Sequence, residues 1–374
     1  MGDKVPRLTS RERLLRTFDG KELDRLATYD IMHNVGLMEH LTGEKINPTN
    51  AEDVACKAVS KVLDLVRHFA IPYDLEPKIE KDEDGFVHRK EWWTIQVLER
   101  PFKTMDDVVR MVHKDIERIY GCISRGKVCK QALFPLMLFG EDCEYFEEVK
   151  QDFKRCMEKM EGTQMVAPES CTLYIALERY DIKWWSYLYR DYAELACQYL
   201  DALTDYELAR IDSFADINIT PISFTSDPIG VNDSLMFAPD FTFNVLLPRT
   251  KKIIERWKSY GYKHIYFADG FKWPIFDEIL SWGLIDAVDP FEPLAHMDVA
   301  KFRAKYPDIT ICQPVDCQNL LYTGTPGEIT EATLKAIKDA EAKRILIGST
   351  SEVHPNISVE NAMAMYETAR NYKI

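Results

Sequence analysis

From about residue 215 the chain repeats one unit: a short run rich in β-branched and aromatic residues, followed by an amphipathic helical stretch. The runs are INITPISFT, KHIYFAD, LIDAVDP, DITICQP and RILIGS. Between them, WKSYGYKHIYF and ILSWGLIDAV each set a glycine after the last helical turn, where a left-handed cap is needed, and pass straight into a strand. Strands joined by helical crossovers through short loops make a parallel sheet. LATYDIM, HFAIPYDL, QALFPLMLFG and QMVAPES supply strands for the first half, and no GxGxxG follows any of them. The count favours a (β/α)8 barrel over a doubly wound sheet. No linker rich in Gly, Pro or Ser divides the 374 residues, so one elaborated barrel domain over 1–374 is expected.

Two elaborations are legible. Thr9 and Glu12 have capping-box spacing, Leu14, Leu15 and Phe18 form an apolar face, and Gly20 closes an N-terminal helix. Asn50 is the expected cap of a second helix whose apolar positions are Val54, Val59, Val62, Leu63 and Val66. The stretch EKDEDGFVHRKEWWTIQVLERPF sets a charged Asp-Gly turn between β-prone runs and predicts a β-hairpin insertion at about 78–103.

The 61 acidic side chains outnumber 47 basic ones, for a formal charge of −14. That balance opposes general affinity for phosphate backbones or anionic lipid, so neither nucleic acid nor membrane is an expected partner. There is no long apolar run and no signal-like N-terminus, which points to the cytoplasm. Nine scattered cysteines without a CxxC pair look like reduced thiols.

A barrel carries its chemistry where its strands end. Those positions hold Asp74 and Glu76, Glu169, Asp227, Asp269, Asp289 and Glu292, Asp316 and Cys317, then Glu352 and His354. Asp227 and Asp269 are the candidate catalytic carboxylates, and Asp74 and Glu169 candidate substrate contacts. Any single one of them could instead cap the next helix, because Asp favours helix N-caps.

The chain resembles the uroporphyrinogen decarboxylase superfamily along nearly its whole length. The resemblance lies in SRERLLRTFDGKELDRLATYD, SLMFAPDFTFNVLLPRTKKIIERWKSYG, ADGFKWPIFDEILSWGLIDAVDPFEPLAHMDVAKFRAKYP, QPVDCQNLLYTGTPGEI and SEVHPNISVENAMAMY, in that order. It implies a (β/α)8 barrel with its site in the mouth. The decarboxylases of that superfamily grip a polycarboxylate with an N-terminal arginine segment, where this chain has YDIMHNVGLMEH. Asp74, in IPYDL, sits roughly where they place a central aspartate. The other branch moves methyl groups to or from a corrinoid protein and holds zinc by His-x-Cys and a final Cys. Here Phe267 and Asp269 stand at the first pair and Ser351 near the last.

The resemblance to first methyltransferases of O-demethylase systems implies a zinc-dependent transfer from a small methylated substrate, a methoxylated aromatic above all, to the cob(I)amide of a corrinoid-binding partner protein. Asp289, Cys317 and His354, with Glu292 as a substitute for Asp289, end successive late strands and are acceptable zinc ligands. Their plain alternatives are a turn residue, a buried thiol and a loop histidine. Trp93 and Trp273 are the expected walls for an aryl ring, from a set that includes Trp92, Trp184, Trp185, Met137 and Met236; ordinary core packing is the other reading of each. A homodimer is expected from the resemblance. Three further readings stay open: a decarboxylase of another carboxylic acid, a methylcorrinoid:thiol methyltransferase, and a non-catalytic ligand-binding barrel.

Overall fold

The structure is a computed structural model that describes residues 7–67, 70–129 and 143–374. Its centre is a ring of eight parallel strands: β1 (Ala27–Asp30), β2 (Leu65–Val66), β3 (Gln164–Met165), β4 (Ile222–Ser226), β5 (Lys263–Phe267), β6 (Ala287–Asp289), β7 (Thr310–Cys312) and β8 (Ile345–Ile347). Each pairs with its chain neighbours except across β3 and β4, and β1 pairs with β8. The β3 continuation closes the ring on β4: Ala167 N–H donates to Ile222 and Ser170 N–H to Phe224. The expected (β/α)8 barrel is therefore the observed fold, and all five late strand runs lie where the alternation put them. QALFPLMLFG and Met137 lie outside the described residues.

The N-terminal helix Ser10–Asp19 has the full Thr9–Glu12 capping box, and Gly20 ends it in the left-handed region at φ 68°. The second helix stops sooner than its apolar pattern. It spans Ala51–Val62, Leu63 is already extended, and Val66 belongs to β2, so the apolar period ran across a helix–strand boundary. Asn50 precedes this helix without capping it, because its side chain bonds back to Lys45 and Asn47. The insertion holds three antiparallel strands, Lys78–Lys81, Val87–Lys90 and Ile95–Glu99, where a two-stranded hairpin was expected. The extra strand is the TIQVLE run, whose β-prone residues pair outside the Asp-Gly turn. Where β8 leaves the barrel, Gly348 passes so close to β1 that a Cβ would stand 1.8 Å from the Tyr29 carbonyl oxygen; only glycine fits there.

Candidate functional site

Strand residues alternate in direction, so each barrel strand sends every second side chain to the axis. The axial plug consists of Ala27, Tyr29, Leu65, Val166, Ile222, Phe224, Ile265, Phe267, Ala287, Cys312 and Leu346, packed against Leu14 and Phe18 below. Continuing the same parity past the strand ends puts Arg67, Asp269 and Asp289 above this plug. The opposite parity sends Asp30 and Asp227 outward, toward the helices.

Arg67 lies flat on the plug, its guanidinium carbon 4.5 Å from the Phe224 ring centre and 4.1 Å from that of Phe267. It forms a two-pronged pair with Glu169, at 2.9 and 2.6 Å. Both side chains are buried, and a bidentate guanidinium–carboxylate pair stacked on two rings is a rigid floor. Beside it Asp289 is wholly buried. The Tyr29 hydroxyl lies against this carboxylate closely enough to bear on its ionisation, yet neither group makes a hydrogen bond of ordinary geometry. Burial pushes the Asp289 carboxyl up to about 8, against the pull of Arg67, Tyr29 and Lys272. Lys272, also wholly buried, donates to the Pro290 carbonyl at 2.7 Å and stands 4.0 Å from Glu292. Burial pulls its ammonium down to about 8, although Glu292, Asp269 and Asp289 act to hold its charge.

Asp269 is the centre of this group. Its field reaches Arg67, Lys272 and Glu169, and it acts in turn on Asp289, Glu292 and Tyr174. The side chain is exposed to solvent, while the protein around it is dense enough that burial still raises its carboxyl. Asp269 is thus the member of the group that reaches solvent. Glu292 accepts from Gly270 N–H at 2.5 Å, and burial raises it as well. Among the described residues four carboxyls, those of Glu169, Asp269, Asp289 and Glu292, thus face two cations, Arg67 and Lys272. A groove of about 540 Å³ beside the mouth, walled by Phe291, Met297, Pro314 and Leu320, contains none of these six ionisable groups.

The other expected residues make contacts outside this group. Asp227 accepts from the backbone N–H groups of Thr172, Leu173 and Tyr174, and Thr250 donates its hydroxyl, so it anchors the start of the helical segment Leu173–Asp191. Burial still raises its carboxyl to about 7. Asp74 is exposed and paired with Lys78, because β2 ends at Val66 and the FAIPY run is not its strand. Trp273 packs on Phe276 and Phe302 and donates its indole N–H to His296, which is the core-packing alternative. Trp93 and Trp92 stand at the ring of His33. His33 is buried, bonds Glu352 through Nδ1 at 2.5 Å and accepts the Ala70 N–H on Nε2, so the imidazole carries its proton on Nδ1. Trp185 is buried in the core.

The expected zinc ligands are not gathered. Cys317 Sγ accepts from the Thr350 hydroxyl at 3.4 Å, and burial pushes the thiol up to about 11. His354 accepts the Asn356 N–H and faces Tyr322. Among the described residues no three His, Cys, Asp or Glu side chains are placed to hold one ion, whether Glu292 or Asp289 is taken. The donor set therefore does not fit the zinc centre that the resemblance implied. Successive strand ends are neighbours, but the parity of each side chain decides whether they converge. The seven cysteines whose side chains are described are all free.

Residues 181–372 match the family model for uroporphyrinogen decarboxylase (URO-D). The chain belongs to the URO-D family. No curated protein matches it. Among solved structures, a methyltransferase from Methanosarcina mazei is 17% identical with a TM-score of 0.64, over 97% of this chain and 98% of that one. This likeness shows the fold. A B12-independent methionine synthase from Shewanella sp. W3-18-1 is 12% identical over 92% of this chain and 98% of the other, and its TM-score of 0.35 carries no argument. Within the described residues of this URO-D family member, no helix is long and apolar enough to cross a membrane. Reading strand ends found Glu169, Asp269 and Asp289, and missed Arg67, Lys272, Tyr29 and His33. The signal for Arg67 and Tyr29 was available: each sits on the axial parity of its strand.

Proposed function

We propose that this URO-D family protein is a methyltransferase, taking a methyl group from a small methylated compound and delivering it to the cob(I)amide of a corrinoid-binding partner. The end-to-end likeness to the Methanosarcina methyltransferase supports this reading of the fold. The observation that carries it against decarboxylation is the charge of the mouth. Arg67 is already committed to Glu169, which among the described residues leaves Lys272 as the other cation facing Asp269, Asp289 and Glu292. A polycarboxylate would enter a site richer in carboxyls than in cations, at a cost in both repulsion and desolvation. A neutral or cationic donor avoids that cost.

The division of labour follows from the geometry. The Arg67–Glu169 pair and the two phenylalanine rings beneath it hold the floor rigid. Asp269 meets the incoming molecule, since it is the open carboxylate of the group. Asp289 and Lys272 each titrate near 8, so at neutral pH either can hold or pass the proton of the heteroatom that loses its methyl group. No step needs a metal held by the expected triad. The expected methoxylated aromatic requires such a proton, because a phenolate leaves poorly.

The test is to mix the purified protein with free cob(I)alamin and a panel of methyl ethers, methylamines, methanol and methyl thiols, and to follow the cobalt absorbance. Methylation of cobalt that depends on both protein and donor is expected. Carbon dioxide release from a panel of aromatic and aliphatic acids, with no cobalt methylation from any donor, would overturn the reading in favour of a decarboxylase.

A further inference from the structure

Resting on that reading, we propose that Asp269, Asp289 and Glu292 seat a methylated ammonium ion that still carries an N–H, and that this small organic cation is the methyl donor. The first ground is hydrogen bonding. Both oxygens of Asp289 are fully buried at the inner face of the barrel and have no partner of ordinary geometry. A buried acceptor left unmatched is costly, so the floor calls for a ligand that donates. The Tyr29 hydroxyl beside it makes no hydrogen bond of ordinary geometry, the Lys272 ammonium points to the Pro290 carbonyl and the Arg67 guanidinium to Glu169, so none of these protein donors fills that need.

The second ground is charge. Among the described residues the group around Asp269 sets four carboxyls against two cations; Asp289 on its own holds its proton at neutral pH, and a positive charge brought against it from solution favours release of that proton. Asp269, open to solvent, lies at the entrance, with Asp289 beneath it at the floor. An N–H⁺ donor that reached Asp289 would form a charge-assisted bond in a dry setting, where such bonds are strongest.

The third ground is the leaving group, where the disagreement over zinc becomes informative. In transfer from an ammonium ion, the methyl carbon bonds to cobalt(I), which supplies the electron pair. The C–N bond breaks, its pair stays on nitrogen, and a neutral amine departs with its N–H intact. No proton or Lewis acid has to be added. An aryl ether asks for both an electrophile at oxygen and a flat slot. The donor set gathers no metal site among the described residues, and Trp273 is turned into the Phe276–Phe302 cluster.

Calorimetric titration with trimethylammonium, tetramethylammonium and 2-methoxyphenol tests this without turnover. Trimethylammonium should bind, and tetramethylammonium, a cation of similar size without N–H, should bind at least about tenfold more weakly, which is the loss of about 1.4 kcal/mol. Asp289→Asn and, separately, the solvent-facing Asp269→Asn should each weaken trimethylammonium at least about tenfold while circular dichroism stays unchanged. Equal affinity for the two cations, or an affinity indifferent to both substitutions, would overturn the seat. The cob(I)alamin assay separates the two proposals. Cobalt methylation from 2-methoxyphenol and not from trimethylammonium upholds the methyltransferase and overturns the ammonium donor. Binding that is sensitive to Asp289→Asn, with no methylation from any donor, upholds the seat and overturns the methyltransferase.

Discussion

Asp64 and Asp289 are both wholly buried carboxylates, one at each end of the same barrel, and their surroundings are opposite. Asp64, at the entry to β2, receives Arg13 at 2.5 Å, Arg25 at 2.7 and 2.9 Å, the Ser10 hydroxyl and the Thr28 N–H. Asp289, at the exit of β6, has only the Tyr29 hydroxyl against it and receives no hydrogen bond of ordinary geometry. Burial would raise both, but at Asp64 the two arginines and the Thr28 N–H more than reverse it and hold the carboxyl below its ordinary range. At Asp289 nothing reverses it. A carboxylate whose lone pairs are all matched by the protein serves the fold. One left unmatched at the catalytic end of a barrel is available to a ligand, and the fold tolerates its cost.

The sharpest way to break this comparison is to remove Asp64. Asp64→Ala leaves two buried or half-buried guanidinium groups without their shared partner, and should cost about 3–5 kcal/mol in urea unfolding. A loss under about 1 kcal/mol would mean that the bottom network is as dispensable as an exposed ion pair.

A smaller effect separates the two residues by pH. Asp64 is lowered on folding, so the stability it contributes is present above the unfolded carboxylate pKa near 4 and is lost as pH falls through its folded value. Asp289 is raised to about 8, so its effect has the other sign: stability is greatest below pH 4 and declines as pH rises from about 4 to about 8. Asp289→Asn should therefore flatten the decline of stability between about pH 4 and about pH 8 without touching the acid limb, and at pH 7 should match or exceed the parent protein. Urea midpoints across that range check this. A variant less stable than the parent at pH 8 would show that Asp289 has a structural partner after all.

The barrel was legible because two periodicities agreed, the alternation of strands with helices along the chain and the capping residues between them. The mouth was legible in part. The rule that chemistry sits at strand ends finds Asp227, Asp269 and Asp289 alike, and strand parity then separates them. Asp227 has the parity of Thr225, faces the helices and binds three backbone N–H groups; Asp289 has the parity of Ala287 and faces the axis. Arg67 escaped notice because β2 has only two residues. A strand that short has no pattern of its own, so in the sequence the apolar FAIPY run stands out in its place and points to Asp74 as a mouth residue. Lys272 was hidden for another reason: a lysine in a loop reads as solvated unless the burial around it is known.

The displacement from Arg67 to Asp74 yields the smallest prediction, one of no effect. Asp74 is exposed, accepts the Glu76 N–H and pairs with Lys78 at the base of the insertion sheet. Exposed pairs of this kind are screened by water and salt and contribute little. Asp74→Asn should leave the urea midpoint, trimethylammonium affinity and cobalt methylation rate unchanged, whereas Arg67→Met should disturb ligand affinity by removing the bidentate partner of Glu169 above the two rings. A loss of methylation with Asp74→Asn at unchanged stability would bring the insertion sheet into the mouth during turnover. The boundary between residues that serve the fold and residues that serve the ligand would then lie at the insertion and not at the exits of the strands.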